Sequence, residues 1–174
     1  MQRSAVLVPL RLLADGTMDL VLIRRAEEPG PHSGQVAFPG GRMEPSDETP
    51  EAAALREANE ELGIPSAAVE LIGRLDEMLT ITGYHVAPVV GLLDRGVRFV
   101  LQQDEVARVF SVPIEVLLAR QRWERRRHEY RGSEAWAWHL AYDGEDIWGV
   151  TAYIIRGMVE RLWRIAVDSP KPSW

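Results

Sequence analysis

The chain of 174 residues contains no cysteine. That excludes disulfides, thiolate zinc sites and a cysteine nucleophile, and it suits a reducing cytoplasm, the expected location. Lysine is almost as scarce. Of 20 basic residues only Lys171 is a lysine, so a basic side chain that meets an anion is nearly always a guanidinium, which can grip a phosphate bidentately. No apolar stretch approaches the roughly 18 residues that span a membrane. The start holds one apolar run, AVLVPL, ended by Arg11; it is too short for a secretory signal and reads as a first strand. A formal net charge of −6 argues against duplex nucleic acid as a partner.

What is present suits one folded domain. Hydrophobic residues make up 46% and charged residues 26%, enough apolar mass for a core without metal or disulfide staples. We expect a single domain over residues 1–166 and a loose tail over 167–174. Ala5–Leu13 and Asp19–Arg25 are apolar and β-prone around Asp15-Gly16, a hairpin signal. After the loop EEPGPHSG comes a short strand, Val36–Phe38, and then Pro39-Gly40-Gly41. Val69–Leu75, Glu77–Thr82, Val86–Leu93 and Val97–Leu101 read as strands, PIEVLLA as a short helix and Ile147–Ile165 as a closing helix. Trp136, Trp138, Leu140 and Tyr142 alternate with small or polar residues, giving a strand with one aromatic face. Strands and helices mix without regular alternation, so the order predicts an α/β sandwich with a mixed sheet.

One helix is sharply punctuated. Thr49 is a good N-cap, Pro50 fits the first helical position, Glu51 sits in the positive first turn and Gly63 fits the position after the last turn. At 100° per residue Ala54, Leu55, Ala58 and Leu62 share an arc that can face a sheet, and Glu57, Glu60 and Glu61 share the neighbouring arc. Residues 44–61 carry seven acidic side chains and one basic one. A solvated helix intersperses signs, because like charges at i,i+4 cost roughly 0.2–0.5 kcal/mol per pair. Glu60 and Glu61 also lie near the helix C-terminus, where the dipole disfavours anions. A cation would offset this cost, and an all-oxygen carboxylate set without a Ca²⁺-loop pattern suits Mg²⁺ or Mn²⁺.

The stretch Gly41-x6-Glu48-x7-Arg56-Glu57-Ala58-Asn59-Glu60-Glu61-Leu62-Gly63-Ile64 resembles the Nudix box, G-x5-E-x7-R-E-U-x-E-E-x-G-U with U apolar. The first gap is one residue longer than usual. The resemblance implies a Nudix-like α/β/α sandwich with a mixed sheet and metal-dependent hydrolysis of a nucleoside diphosphate linked to another group. It further implies Glu57 and Glu61 as main metal ligands, Glu60 as a third ligand or a partner of Arg56, and a carbonyl of Gly40 or Gly41 completing the site. Arg56 would orient Glu57, and Glu48 would support the loop or a second metal. The base that takes the proton of water is Glu57 or a later glutamate, for which Glu105 is the candidate.

Segments outside the box resemble the coenzyme A pyrophosphatase branch of that family. They are LIRRA at 22–26 with HSGQVAFPGG at 32–41, TGYHVAPVVG at 82–91 and IWGVTAYII at 147–155. The branch shares the longer first gap. The implied substrate is coenzyme A or a derivative, cut to 3′,5′-ADP and (acyl-)4′-phosphopantetheine. Arg24, Arg25, His32, Gln35, Phe38 and Gly40 are the expected substrate contacts, with Phe38 equally suited to the core. Another substrate (ADP-ribose, NADH or a nucleoside triphosphate) and a non-catalytic ligand-sensing module are the alternatives. RQRWERRRHEYR at 120–131 mimics a nucleic-acid stripe, but in an acidic chain we read a solvated strand edge. The four histidines share no metal-ligand spacing, and the aromatic C-terminal half can supply a homodimer interface.

Overall fold

The structure, a computed structural model, describes residues 2–27, 29, 32–130 and 132–164. The expected tail and Ile165 lie outside the described residues. The chain forms two compact units, Met1–Ile114 and Glu115–Trp174.

The first unit is built around a hairpin of β1 (Gln2–Leu12) and β2 (Met18–Arg25). Gly16 turns it at φ +84°, and Asp15 accepts hydrogen bonds from the Thr17 amide and hydroxyl at 2.9 and 2.6 Å. Then follow β3 (Val36–Ala37), β4 (Gly40–Arg42), α1 (Pro50–Leu62), β5 (Val69–Arg74), β6 (Met78–Leu79), β7 (Tyr84–Leu93) and β8 (Val106–Pro113). The sheet runs β3-β2-β1-β7-β5, with β4 beside β1, β6 beside β7 and β8 beside β2. Only β1 and β7 are parallel, Ala5 opposite Ala87, so the sheet is mixed as expected. Val21 and Ile23 of β2, Ala5 and Leu7 of β1 and Val89 of β7 pack against Ala53, Ala54, Ala58 and Leu62 of α1, all fully buried.

Two expected strands differ. Glu77–Thr82 contributes only the pair Met78–Leu79. Val97–Leu101 forms no strand. Its alternating Val97, Phe99 and Leu101 pack against the α1 core cluster, while the Val100 and Gln102 amides donate to the carbonyls of Leu62 and Glu61 at 2.9 Å. The last carbonyls of a helix lack intrahelical partners, and this segment supplies them. Conversely Gly40–Arg42, poor in β-formers, pairs with β1, Ala5 opposite Gly41.

In the second unit β9 (Trp123–Tyr130), β10 (Ser133–Tyr142) and β11 (Glu145–Trp148) form an antiparallel sheet in the order β11-β10-β9. α2 (Ile114–Leu118) precedes β9, and α3 (Gly149–Trp163) packs on β10 and β11. The aromatic alternation is β10, and the arginine-rich segment is an edge strand whose arginines are exposed. The expected helix start at Ile147 is too early. Ile147 pairs with Leu140 in the sheet, and Gly149, at φ +65°, is where the chain turns into α3.

The small side chains of α1 set how closely it approaches the sheet. Ala58→Leu should overpack this contact and destabilise the protein by about 1–3 kcal/mol, read as a lower urea midpoint with unchanged slope.

Candidate active site

α1 forms where its punctuation predicts. The Ala52 amide donates to Thr49 Oγ1 at 3.1 Å, and Gly63 adopts the left-handed conformation. The Gly63 and Ile64 amides return to the carbonyls of Asn59 and Ala58, closing the C-terminus. The buried stripe, however, is Pro50, Ala53, Ala54, Ala58, Glu61 and Leu62, with Leu55 only partly covered. The helix is thus rotated by about 60° toward its glutamates relative to the arc expected from Ala54, Leu55, Ala58 and Leu62. Glu61 lies near the centre of the buried stripe and is 1% exposed.

Two adjacent glycines make room for the carboxylates. The Gly40 amide donates to Glu61 Oε2 at 2.9 Å. A Cβ on Gly40 would stand 2.7 Å from Val6 Cα, so glycine is what lets β4 lie on β1 there. A Cβ on Gly41 would stand 2.6 Å from Cδ of Glu57 and 2.8 Å from its Oε2. The Glu57 carboxylate therefore occupies the space that any other residue at 41 would fill.

Arg56 ties the glutamates to the loop before the helix. It donates to Asp47 Oδ1 and Oδ2 at 3.1 and 2.9 Å, to Glu57 Oε1 and Glu60 Oε2 at 3.0 Å, and to the Arg42 carbonyl at 3.0 Å. These five bonds match the five N–H donors of a guanidinium. Arg56 thus contacts Glu57, the side chain it was expected to orient. Glu60, its side chain 56% exposed, takes the second of its two expected places, as a partner of Arg56. Glu48 is exposed and its carboxylate has no ion pair among the described residues; the loop acid is its neighbour Asp47, whose side chain is 5% exposed and which also accepts the Glu44 amide at 2.8 Å. The usual box spacing, with five residues between the glycine and the acid, lands on Asp47. The extra residue therefore follows the acid rather than preceding it, and accepting Asp for Glu would have found the position.

The remaining expected residues divide. Arg25, on the face of β2 shared by Val21 and Ile23, brings Nη1 to 3.9 Å from Glu61 Oε1. Arg24, the preceding residue, lies opposite Arg108 and by strand alternation falls with Leu20 and Leu22; the β2–β8 register shifts between Arg24 and Arg25. Gln35 accepts the Arg25 amide through its carbonyl at 2.9 Å, and its side-chain oxygen lies 3.3 Å from Nδ1 of exposed His32. Phe38 is 3% exposed, which makes it core packing rather than a substrate contact. The Glu105 carbonyl accepts the Ala26 amide at 2.8 Å, and the exposed Glu105 carboxylate is near enough for its charge to act on both Glu57 and Glu61.

Burial, more than the repulsion from Glu57 and Glu105, pushes the Glu61 carboxyl up to about 8 despite the Gly40 amide and Arg25. Burial raises Glu57 too, against the pull of Arg56. Among the described residues no three acidic or imidazole groups already stand as a metal-ligand triangle, and the carboxylates of Glu61 and Glu57 face Arg25 and Arg56. The donor set nonetheless fits a hard divalent cation. It is all oxygen, it lies against a backbone with no Cβ, and its buried carboxyl lacks sufficient positive charge.

Asp47→Asn should lower turnover or metal affinity about 10–100-fold by freeing Arg56, whereas Glu48→Gln should leave both near wild type. The pH dependence of metal-free stability has a definite sign. With Glu61 raised from the ordinary 4.5 to about 8, the folded state holds a proton that the unfolded state releases. This contribution is full below 4.5 and is lost as pH rises through 8, a change on the order of a few kcal/mol. Thermal melts in chelator should show the decline, and Glu61→Gln should flatten it.

Known proteins share both the sequence and the fold. The NUDIX domain family matches residues 1–140. Over 161 residues the chain is 37% identical to the uncharacterized Nudix hydrolase NudL of Yersinia pestis (strain Pestoides F), spanning 92% of this chain and 80% of that protein. RenU, a Nudix hydrolase from M. smegmatis, aligns with a TM-score of 0.63 at 18% identity, over 97% of this chain and 90% of its own. The NUDIX domain of Shewanella oneidensis NrtR, solved with ADP ribose, aligns with a TM-score of 0.57 at 19% identity, over 93% and 88%. With the glutamate helix seated on its glycine pair, these matches assign the chain to the Nudix hydrolase family, as a pyrophosphohydrolase.

Proposed function

We propose that the protein hydrolyses the pyrophosphate of coenzyme A or an acyl derivative, giving 3′,5′-ADP and (acyl-)4′-phosphopantetheine. One observation carries the choice of substrate. The segment HSGQVAFPGG, which resembles the coenzyme A branch, is part of the carboxylate site itself. Gln35 fastens Arg25, Gly40 holds Glu61 and Gly41 underlies Glu57.

Glu57 and Glu61, with a carbonyl of Gly40 or Gly41, would hold Mg²⁺ or Mn²⁺. Bound there, such an ion neutralises pyrophosphate charge and lowers the pKa of water. The chain's own groups do the rest. Arg56 keeps Glu57 in one orientation, and Arg25 offers guanidinium donors to a phosphate oxygen. Water adds to one phosphorus, the bond from that phosphorus to the bridging oxygen breaks, and a carboxylate takes the proton. Two carboxylates suit that task. Glu57 lies within the site, and exposed Glu105 lies at its edge.

ADP-ribose is the natural competing substrate, because the NrtR domain was solved with it. The test is product analysis by mass after parallel incubation with coenzyme A, ADP-ribose, NADH and ATP, with Mg²⁺ or Mn²⁺ and with chelator. Metal-dependent 3′,5′-ADP from coenzyme A alone is the expected outcome. Cleavage of another substrate instead keeps the site and discards the substrate. Glu57→Gln should remain folded and lose turnover by a factor on the order of 10² or more, and unchanged turnover would remove Glu57 from the machinery.

A further inference from the structure

Arg25 stands in an unusual position for a residue expected to bind substrate. Its guanidinium points toward Glu61, a buried carboxylate that the proposed function assigns to a divalent cation. At 3.9 Å the contact is an ion pair without a hydrogen bond, and among the described residues Glu61 is the one ion-pair partner of Arg25. Its side chain is 37% exposed, so part of it already faces solvent. Its backbone is not free. The Arg25 amide donates to Gln35 and the Ala26 amide to Glu105, so only the side chain can move. Glu61, by contrast, is locked by the Gly40 amide and the packing of α1.

We infer that Arg25 is a resident counter-cation of the metal site, exchanging places with the divalent ion. Without metal it faces Glu61 and favours the ionised form of that buried carboxyl, which burial otherwise keeps protonated. When a divalent ion takes Glu61, like charge expels the guanidinium, which turns outward with its donors unengaged. An incoming substrate phosphate then meets an arginine that ion binding has released. Arg25 is in this sense a positioning residue that couples metal occupancy to phosphate binding. Arg24, on the opposite face of β2, has no such part. This inference rests on Glu61 being a metal ligand.

The test is Mn²⁺ affinity, read from the electron paramagnetic resonance of free Mn²⁺ without substrate, for the wild type and for R25Q, R25K and R24Q. Removing the competitor should tighten Mn²⁺ binding by R25Q about 3–10-fold. R25K keeps the charge and R24Q lies off the site, so both should stay within about twofold of wild type. Metal-free R25Q should melt below the wild type, and saturating Mn²⁺ should close the gap. R25Q that binds Mn²⁺ no tighter than the wild type overturns the exchange. So does R25K that gains as much as R25Q, since charge would then not be the competitor. A wild type that binds no Mn²⁺ fails differently, because it removes the metal reading on which the exchange depends.

Discussion

A carboxylate sits where packing alone would place an apolar side chain. Glu61 lies near the middle of the sheet-facing stripe of α1, 1% exposed, and the surrounding structure answers that burial. An isolated buried charge is among the most costly things a fold can contain. Gly40 gives it a backbone hydrogen bond, Arg25 gives it a nearby positive charge, and its own pKa rises toward neutrality. Under the proposed function a divalent cation supplies the positive charge that this burial still lacks.

The alanines of α1 follow from the same constraint. Ala53, Ala54 and Ala58 bring the helix close to β1 and β4, which places Glu57 and Glu61 over Gly40 and Gly41. Arg56 then works as a strut. Its five hydrogen bonds join the loop acid, the β4 carbonyl and two glutamates, so that carboxylates which would repel one another are held apart at set positions. With almost no lysine in the chain, the balancing charges near these acids are planar guanidiniums, which suit fixed multi-donor geometry better than an ammonium does.

Arginine serves a different end in the second unit. Arg156, 6% exposed, lies 3.9 Å from the Trp138 ring centroid and 5.4 Å from that of Trp123, and Arg125 lies over Trp136 and Trp138. Arg156 and Trp123 are buried together, whereas Arg125 covers the face of an exposed Trp136. On the other face of the same sheet Asp146, His139 and His128 form a chain, with His139 Nδ1 2.9 Å from Asp146 and the two Nε2 atoms 2.8 Å apart, beneath the ring of Trp148. These histidines have no telling sequence spacing; the β9–β10 pairing puts them on one face of the sheet, His128 opposite Ala135 and His139 opposite Glu124, and their side chains meet along that face.

The sequence alone determined the features that depend on neighbours along the chain. The hairpin at Asp15-Gly16, the caps of α1 and the crowding of Glu57, Glu60 and Glu61 all rest on local turn chemistry and helical spacing. The role of Arg56 was legible only through the resemblance of the box, since helical spacing by itself pairs it with Glu60 at i+4 and not with Glu57 at i+1. Tertiary structure decided what depends on which face another element covers. The arc expected from Ala54, Leu55, Ala58 and Leu62 is the more apolar one, but sheet glycines accept the arc that contains Glu61. Asp47 rather than Glu48 meets Arg56, because the loop's path selects between two adjacent acids. Val97–Leu101 alternates like a strand yet supplies amides to the end of α1. Arg24 and Arg25 look equivalent in sequence, and only the alternation of β2 against α1 turns one of them toward the site.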